Sequence, residues 1–282
     1  MRKCPTKSCR STLDVRKKGH YFRKSDSKWI RRYHCSKCGK HFSNATFSES
    51  YGQNKRRLNP IIFNLLNSGM SQRRTAKVLR INLKTVARKL QVLDGWSIKR
   101  QNLLLKDINI YEMQFDEMET LEHSKLKPIS LAIAVEKETR FIIGIRASIM
   151  PSKGLLKEKS LKKYGKREDH RKKGLEDLFF PIRDKAIRLA ESDECPRYPR
   201  ILKKYFPEVH HKRYKGRRGC VTGQGEMKSG GFDPLFSINH SCAMVRASVN
   251  RLFRRSWCTT KSLDRLQMHL NLYVYYHNSR LI

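Results

Sequence analysis

Three apolar runs follow one another closely in the middle of the chain, at 108–118 (INIYEMQFDEM), 129–135 (ISLAIAV) and 140–149 (RFIIGIRASI). Their connections are shorter than the dozen or more residues that a parallel crossover needs. The runs therefore predict three successive antiparallel strands. The first of them ends abruptly in Asp116, Glu117 and Glu119. The chain carries 62 Lys and Arg against 25 Asp and Glu, so carboxylates gathered at the end of a buried strand call for a reason. Asp116 is read as a metal ligand; the plainer alternative is a strand cap or a partner for one of the many lysines.

The same count gives a net charge of +37 over 282 residues. A surplus of that size says little about fold and much about partners, because it favours a polyanion bound through phosphate contacts with release of counterions. Hydrophobic residues make up 38% of the chain and fall in periodic patterns, which excludes a disordered basic tail. The opening MRKCPTKSCR lacks the apolar stretch of a signal peptide, and no later run approaches the ~20 apolar residues of a membrane span. A cytoplasmic, nucleoid-associated protein with double-stranded DNA as its partner and no membrane contact is expected. The eight cysteines then read as thiols or metal ligands rather than as disulfides.

Cys4 and Cys9 form C-x4-C, and Cys35 and Cys38 form C-x2-C, with a basic stretch containing Tyr21, Trp29 and Tyr33 between them. Two thiolate knuckles flanking a short antiparallel loop suit a tetrahedral zinc, and so small a segment cannot build an adequate core without the metal. A zinc ribbon over 1–50, holding one structural Zn2+ on Cys4, Cys9, Cys35 and Cys38, is expected. His34 precedes Cys35 in a strand and points to the opposite side.

Over 56–95 the period is helical. Ile61, Ile62, Leu65 and Leu66 share one face, Gly69 and Ser71 end that helix and cap the next, and Ala76, Val78 and Leu79 lie on the second. Asn82 is placed to cap a third helix, in which Ile81, Val86 and Leu90 face inward and Lys84, Thr85, Arg88 and Lys89 face outward. That is a helix-turn-helix DNA-binding domain with a basic recognition helix suited to a major groove. Residues 94–106 read as a linker to a further domain over 106–282.

Beyond the third strand, 151–174 reads as a charged, partly helical connection and 175–188 as a helix. The apolar segment 187–190 runs into Ser192, Asp193 and Glu194, a second carboxylate where an apolar segment stops. A short helix at 198–205, an edge strand at 209–214 and a glycine-rich, mobile basic loop at 215–231 follow. From Pro234 a long amphipathic helix carries Ile238, Cys242, Val245, Val249 and Leu252, with Asn239 and Arg246 two turns apart on the adjoining stripe. Leu263, Leu266, Leu270 and Tyr273 mark a last helix.

This order, and above all PLFSINHSCAMVRASVNRLFRRSWCTTK at 234–261 and RYHCSKCGKHF at 32–42, resembles the insertion-sequence transposases of the DDE superfamily that place a zinc ribbon and a helix-turn-helix before the catalytic domain. The resemblance spans nearly the whole length. It implies an α+β multidomain protein: a zinc ribbon, a helical helix-turn-helix, then a ribonuclease H-like α/β catalytic domain. It implies that Asp116 and Asp193 hold two Mg2+ or Mn2+ ions, that Asn239 is the third catalytic residue, and that Arg246 and Lys261 contact DNA in the basic pattern after that position. The implied activity is cleavage at the element end by a metal-activated water and attack of the freed 3′-hydroxyl on target DNA, carried out by a homo-oligomer on the DNA. Most members have Glu where Asn239 stands, so Glu226 is a rival third ligand and Asp233 a weaker one. Two alternatives stay open: a catalytically weak or inactive derivative acting as a sequence-specific DNA-binding protein or repressor, and an RNA-binding or nuclease role of the same fold.

Overall fold

The computed structural model describes residues 2–215, 227–228, 231–253 and 258–281. The fold is α+β, and the chain divides into two compact units, Met1–Ile62 and Phe63–Ile282. No helix among the described residues is long and apolar enough to cross a membrane.

The first unit is a three-stranded antiparallel sheet of β1 (Val15–Arg23), β2 (Lys28–Cys35) and β3 (His41–Ser43). The alternation of a strand sends Tyr33 and Cys35 inward, where they meet Phe42 and Cys4 in a small core. His34 faces the other way, its ring 4.5 Å from that of His41, as expected. Gly39 closes the second knuckle at φ +68°, a left-handed turn that a side chain resists.

Helix α1 (Asn59–Asn67) begins in the first unit and ends in the second. Ser71 caps α2 (Gln72–Val78) by accepting from the Arg74 N–H, and Asn82 caps α3 (Leu83–Asp107) by accepting from the Lys84 N–H at 2.8 Å. Both caps fall where expected. Four expectations do not hold. Ile61 (46% exposed) and Val78 (60% exposed) stand apart from the buried faces of their helices, and Lys89 is 5% exposed rather than outward. The stretch 94–106 is no linker: α3 runs through it unbroken, because Leu93, Ser97, Gln101 and Leu105 keep a buried stripe at helical spacing. This second half of α3 packs on α8 (Leu263–Asn278). At the far end Asn278 donates to Gln101 Oε1 (2.9 Å) and to the Ile142 carbonyl (2.8 Å), and accepts from the Ile142 N–H (2.9 Å).

The centre of the second unit is a five-stranded mixed sheet. Strands β4 (Glu112–Leu121), β5 (Pro128–Glu136) and β6 (Ile142–Ile149) are consecutive antiparallel neighbours, as their short connections require. After α4 (Lys157–Tyr164) and α5 (Arg171–Phe179), β7 (Leu189–Asp193) returns parallel to β4. Then α6 (Tyr198–Tyr205) leads to β8 (His210–Tyr214), parallel to β7 at the edge. The order across the sheet is β6-β5-β4-β7-β8. Residues 180–188 are not a continuation of α5; a single 3-10 turn, Phe180–Ile182, ends it. Helix α7 (Phe236–Ser248) stops before Val249 and passes into a 3-10 turn at Asn250–Leu252, shorter than the pattern through Leu252 suggests.

Each sheet face has its own core. Met113 and Phe115 of β4 join Leu175, Leu178, Tyr198 and Leu202 of α5 and α6 on one face. Met118 of β4, with Leu131 and Ile133 of β5, joins Ile238, Val245, Leu266 and Leu270 of α7 and α8 on the other. Gly174 lets α5 approach β6: a Cβ there would lie 2.0 Å from Ser148 Oγ.

Phe115 is fully buried, its ring 4.8 Å from Tyr198 and 5.3 Å from Phe179. Phe115→Ala should cost about 3–5 kcal/mol of stability, read as a lowered midpoint in urea unfolding.

Candidate functional site

Strand β4 presents its residues alternately to the two cores. Gln114, Asp116 and Met118 face α7, whereas Met113, Phe115 and Glu117 face α5 and α6. The three acidic residues therefore part company. Glu117 turns to the α6 side, where it pairs with Arg197 and accepts from Ser130 Oγ at 2.8 Å. Glu119 is exposed and pairs with Lys153 at 2.9 Å. Of the three, Asp116 is the one that faces α7.

The parallel register brings Asp193 to it. Strands β4 and β7 pair at Glu112 with Leu189, Met113 with Ala190 and Gln114 with Glu191, and the pairing stops there. Asp116 and Asp193 each lie two residues further on, so they share one face at adjacent positions, where a continued pairing would set the backbones about 5 Å apart. Burial pushes the Asp116 carboxyl up to about 6, and the charges of Asp193 and Glu117 add to the rise; the Glu117 N–H, bonded at 2.7 Å, and the charge of Arg246 oppose it. Asp193 accepts from the Cys195 N–H at 3.1 Å. Opposite them, α7 buries Cys242, whose thiol is pushed up to about 12 by burial and by the charge of Asp116.

Asn239 lies in the first turn of α7 and donates its amide to Asp233 Oδ2 at 2.8 Å. A carboxylate only accepts, so the NH2 end must face Asp233, and Oδ1 is the end turned elsewhere. Glu226 lies outside the described residues, as do 216–225 and 229–230 of the expected basic loop. Arg246, half-buried, reaches Asp116 through its charge. Lys261 is exposed, next to the bridge between Glu122 and Thr260. On α3, Lys84 and Arg88 are exposed, Thr85 is half-buried and Lys89 is buried.

Sequence reasoning missed the residues that hold this face together. The Gln114 amide donates to Glu191 Oε2 (2.9 Å) and to the Pro234 carbonyl (2.8 Å), and its Oε1 accepts from the Ile238 N–H (3.1 Å). Buried Glu191 is further met by Tyr214 Oη at 2.9 Å and Lys137 Nζ at 3.3 Å. A glutamine inside the apolar run INIYEMQFDEM was the available signal. Past Asp116 on the same side lies a groove of about 700 Å³ lined by Met118, Thr120, Lys125, Arg246, Arg251 and Phe253 among others.

In the first unit the four thiols come together as their spacing suggests. One ligand atom from each of Cys4, Cys9, Cys35 and Cys38 lies within 4.8 Å of every other, with Cys4 and Cys38 Sγ 3.5 Å apart and Cys9 and Cys35 Sγ 3.7 Å apart. Four sulfurs at ~2.3 Å from a tetrahedral centre would stand about 3.8 Å from one another, so the arrangement fits a zinc ion. A hydrogen bond from the Lys40 backbone draws the Cys38 thiol down, which favours the thiolate a metal needs, while burial pushes Cys35 up.

Two measurements test these centres. Purified protein should carry one equivalent of zinc, and Cys35→Ser should lose it together with the near-ultraviolet signal of Tyr33. A carboxyl raised from 3.8 to about 6 binds its proton more tightly in the folded chain, so its effect is absent below about pH 4 and folded stability falls as pH rises from about 4 to 6. In chelator-treated protein, Asp116→Asn should therefore be more stable than the parent by about 2–3 kcal/mol at pH 7. The two should be alike at about pH 3.5.

No protein-family model matches this chain, and no curated protein is significantly similar to it.

Proposed function

We propose that the chain is a DNA transposase of the DDE type, which binds the ends of an insertion element, cleaves strands with divalent metal and joins the 3′-hydroxyl ends to target DNA. The observation that carries this reading is that Asp116 and Asp193 each stand two residues past the last paired position of β4 and β7 on one sheet face, with Arg246 of α7 within reach of the Asp116 charge. Two carboxylates at adjacent positions on one sheet face, one of them held up chiefly by burial, make a site suited to a cation. Their hard oxygens suit Mg2+ or Mn2+. When bound, such ions neutralise charge on a phosphodiester and lower the pKa of a water.

The protein's own side chains take the other roles. Asp233 orients the Asn239 amide so that Oδ1 is the atom offered as a third, neutral ligand. The basic groove past Asp116, with Lys125, Arg246 and Arg251, holds the strand by its phosphates. Lys84 and Arg88 at the exposed start of α3 read the element end, while the four cysteines hold a structural zinc that keeps the ribbon folded. The sheet supports a ribonuclease H-like reading: three antiparallel strands continue into two parallel ones, and the acidic residues sit on the first and fourth. The neutral Asn239 favours the second reading, a DNA-binding derivative that represses without cutting.

A DNA fragment spanning the borders of this reading frame tests both. The parent protein should nick it in Mg2+ or Mn2+ and not in chelator, and Asp116→Asn or Asp193→Asn should abolish nicking with DNA affinity nearly unchanged. Asn239→Ala should reduce nicking severely. Independently of activity, millimolar Mn2+ should raise the melting temperature of the parent and not that of Asp116→Asn. Specific binding without nicking would establish the repressor reading. Arg88→Ala should cost about 1–3 kcal/mol on the specific site and little on random DNA.

A further inference from the structure

The hairpin of β1 and β2 reaches well beyond the small core beside the four cysteines. Tyr33 and Cys35 anchor the near end of β2, but the same face continues outward through Arg31 to Trp29. There Trp29 is 71% exposed and Phe22, its direct partner across the strands, is 46% exposed. Their rings lie 5.4 Å apart at 58°. Burying Trp29 would gain more than burying almost any other side chain, so leaving it at a hairpin tip asks for an occupant.

Charge says which. Lys17 and Arg31 share the face of Trp29, and Arg16, Lys18, Lys24, Lys28 and Arg32 are exposed at the tip, edges and reverse of the same narrow hairpin. The hairpin's one carboxylate, Asp26, is taken up by Arg23. A strongly basic ribbon around an open aromatic pair, its lone acid already matched, fits a polyanion that also carries flat rings. We propose that the tip of this hairpin binds single-stranded nucleic acid, with an unpaired base stacked on Trp29 and the flanking cations on the phosphates. Stacking is tolerant of sequence because every base has a π face, and the cations follow the backbone. A second copy of the chain is a poor occupant, since it would bring the same positive charge to the same place. The site belongs wholly to the first unit and does not depend on any cleavage activity.

The test uses full-length, zinc-loaded protein and an oligothymidylate carrying one 5-iododeoxyuridine. After irradiation, the cross-linked peptide should contain Trp29. Trp29→Leu should remove that adduct and weaken binding of the oligothymidylate about 10-fold, with the dependence on salt unchanged because no charge is lost. Trp29→Phe should keep most of the affinity. Variants are compared at one equivalent of bound zinc, so that loss of the ribbon is not mistaken for loss of the stack. Unchanged binding by Trp29→Leu, adducts confined to other peptides, or an equal loss on a blunt duplex would each overturn the proposal.

Discussion

One carboxamide ties the candidate site together. Gln114 sits at the last paired position of β4 and β7, and it uses its amide to hold Glu191 of the neighbouring strand and the Pro234 carbonyl while its oxygen holds the Ile238 N–H. Two strands and the start of a helix are thus fixed to one buried side chain. Replacing it with an apolar residue would leave Glu191 short of a donor and the first turn of α7 without its anchor, a loss that falls on buried polar groups and is correspondingly large. Asp116 and Asp193 stand two residues beyond this point of attachment, on the face that the parallel register gives them.

Both candidate centres share a physical trait. Each gathers groups that are costly to charge where they are: Asp116 is half-buried beside another carboxylate, and Cys35 is buried among three other thiols. Such arrangements weaken a fold when nothing neutralises them and strengthen it when a cation does. The surrounding surplus of positive charge relieves only part of this, since Arg246 lowers the Asp116 carboxyl without bringing it back to the ordinary range.

Local signals in the sequence were legible where one physical cause dominates. The cysteine spacing, the caps at Ser71 and Asn82, and the three antiparallel strands come from short-range chemistry, and each is where it was expected. Burial was less legible. Val78 and Lys89 exchange the places that periodicity gives them because α2 stops at Val78 itself and α3 is packed by both α2 and α8. The unbroken passage of α3 through Gly95 was hidden because a glycine and three basic residues look like a linker until α8 supplies the surface they lie on. The common face of Asp116 and Asp193 rests on a register between strands more than seventy residues apart, which no local pattern encodes.

The continuity of α3 has a geometric consequence. Its first turns carry the exposed Lys84 and Arg88, while its later ones are locked against α8 and Ile142 through Gln101 and Asn278, so the two ends cannot rotate independently. Each residue added between them would turn the exposed start by about 100° and advance it by about 1.5 Å. Whatever docks on Lys84 and Arg88 is therefore held at a set azimuth to the sheet, and changes in the helix would be felt as phase rather than as reach.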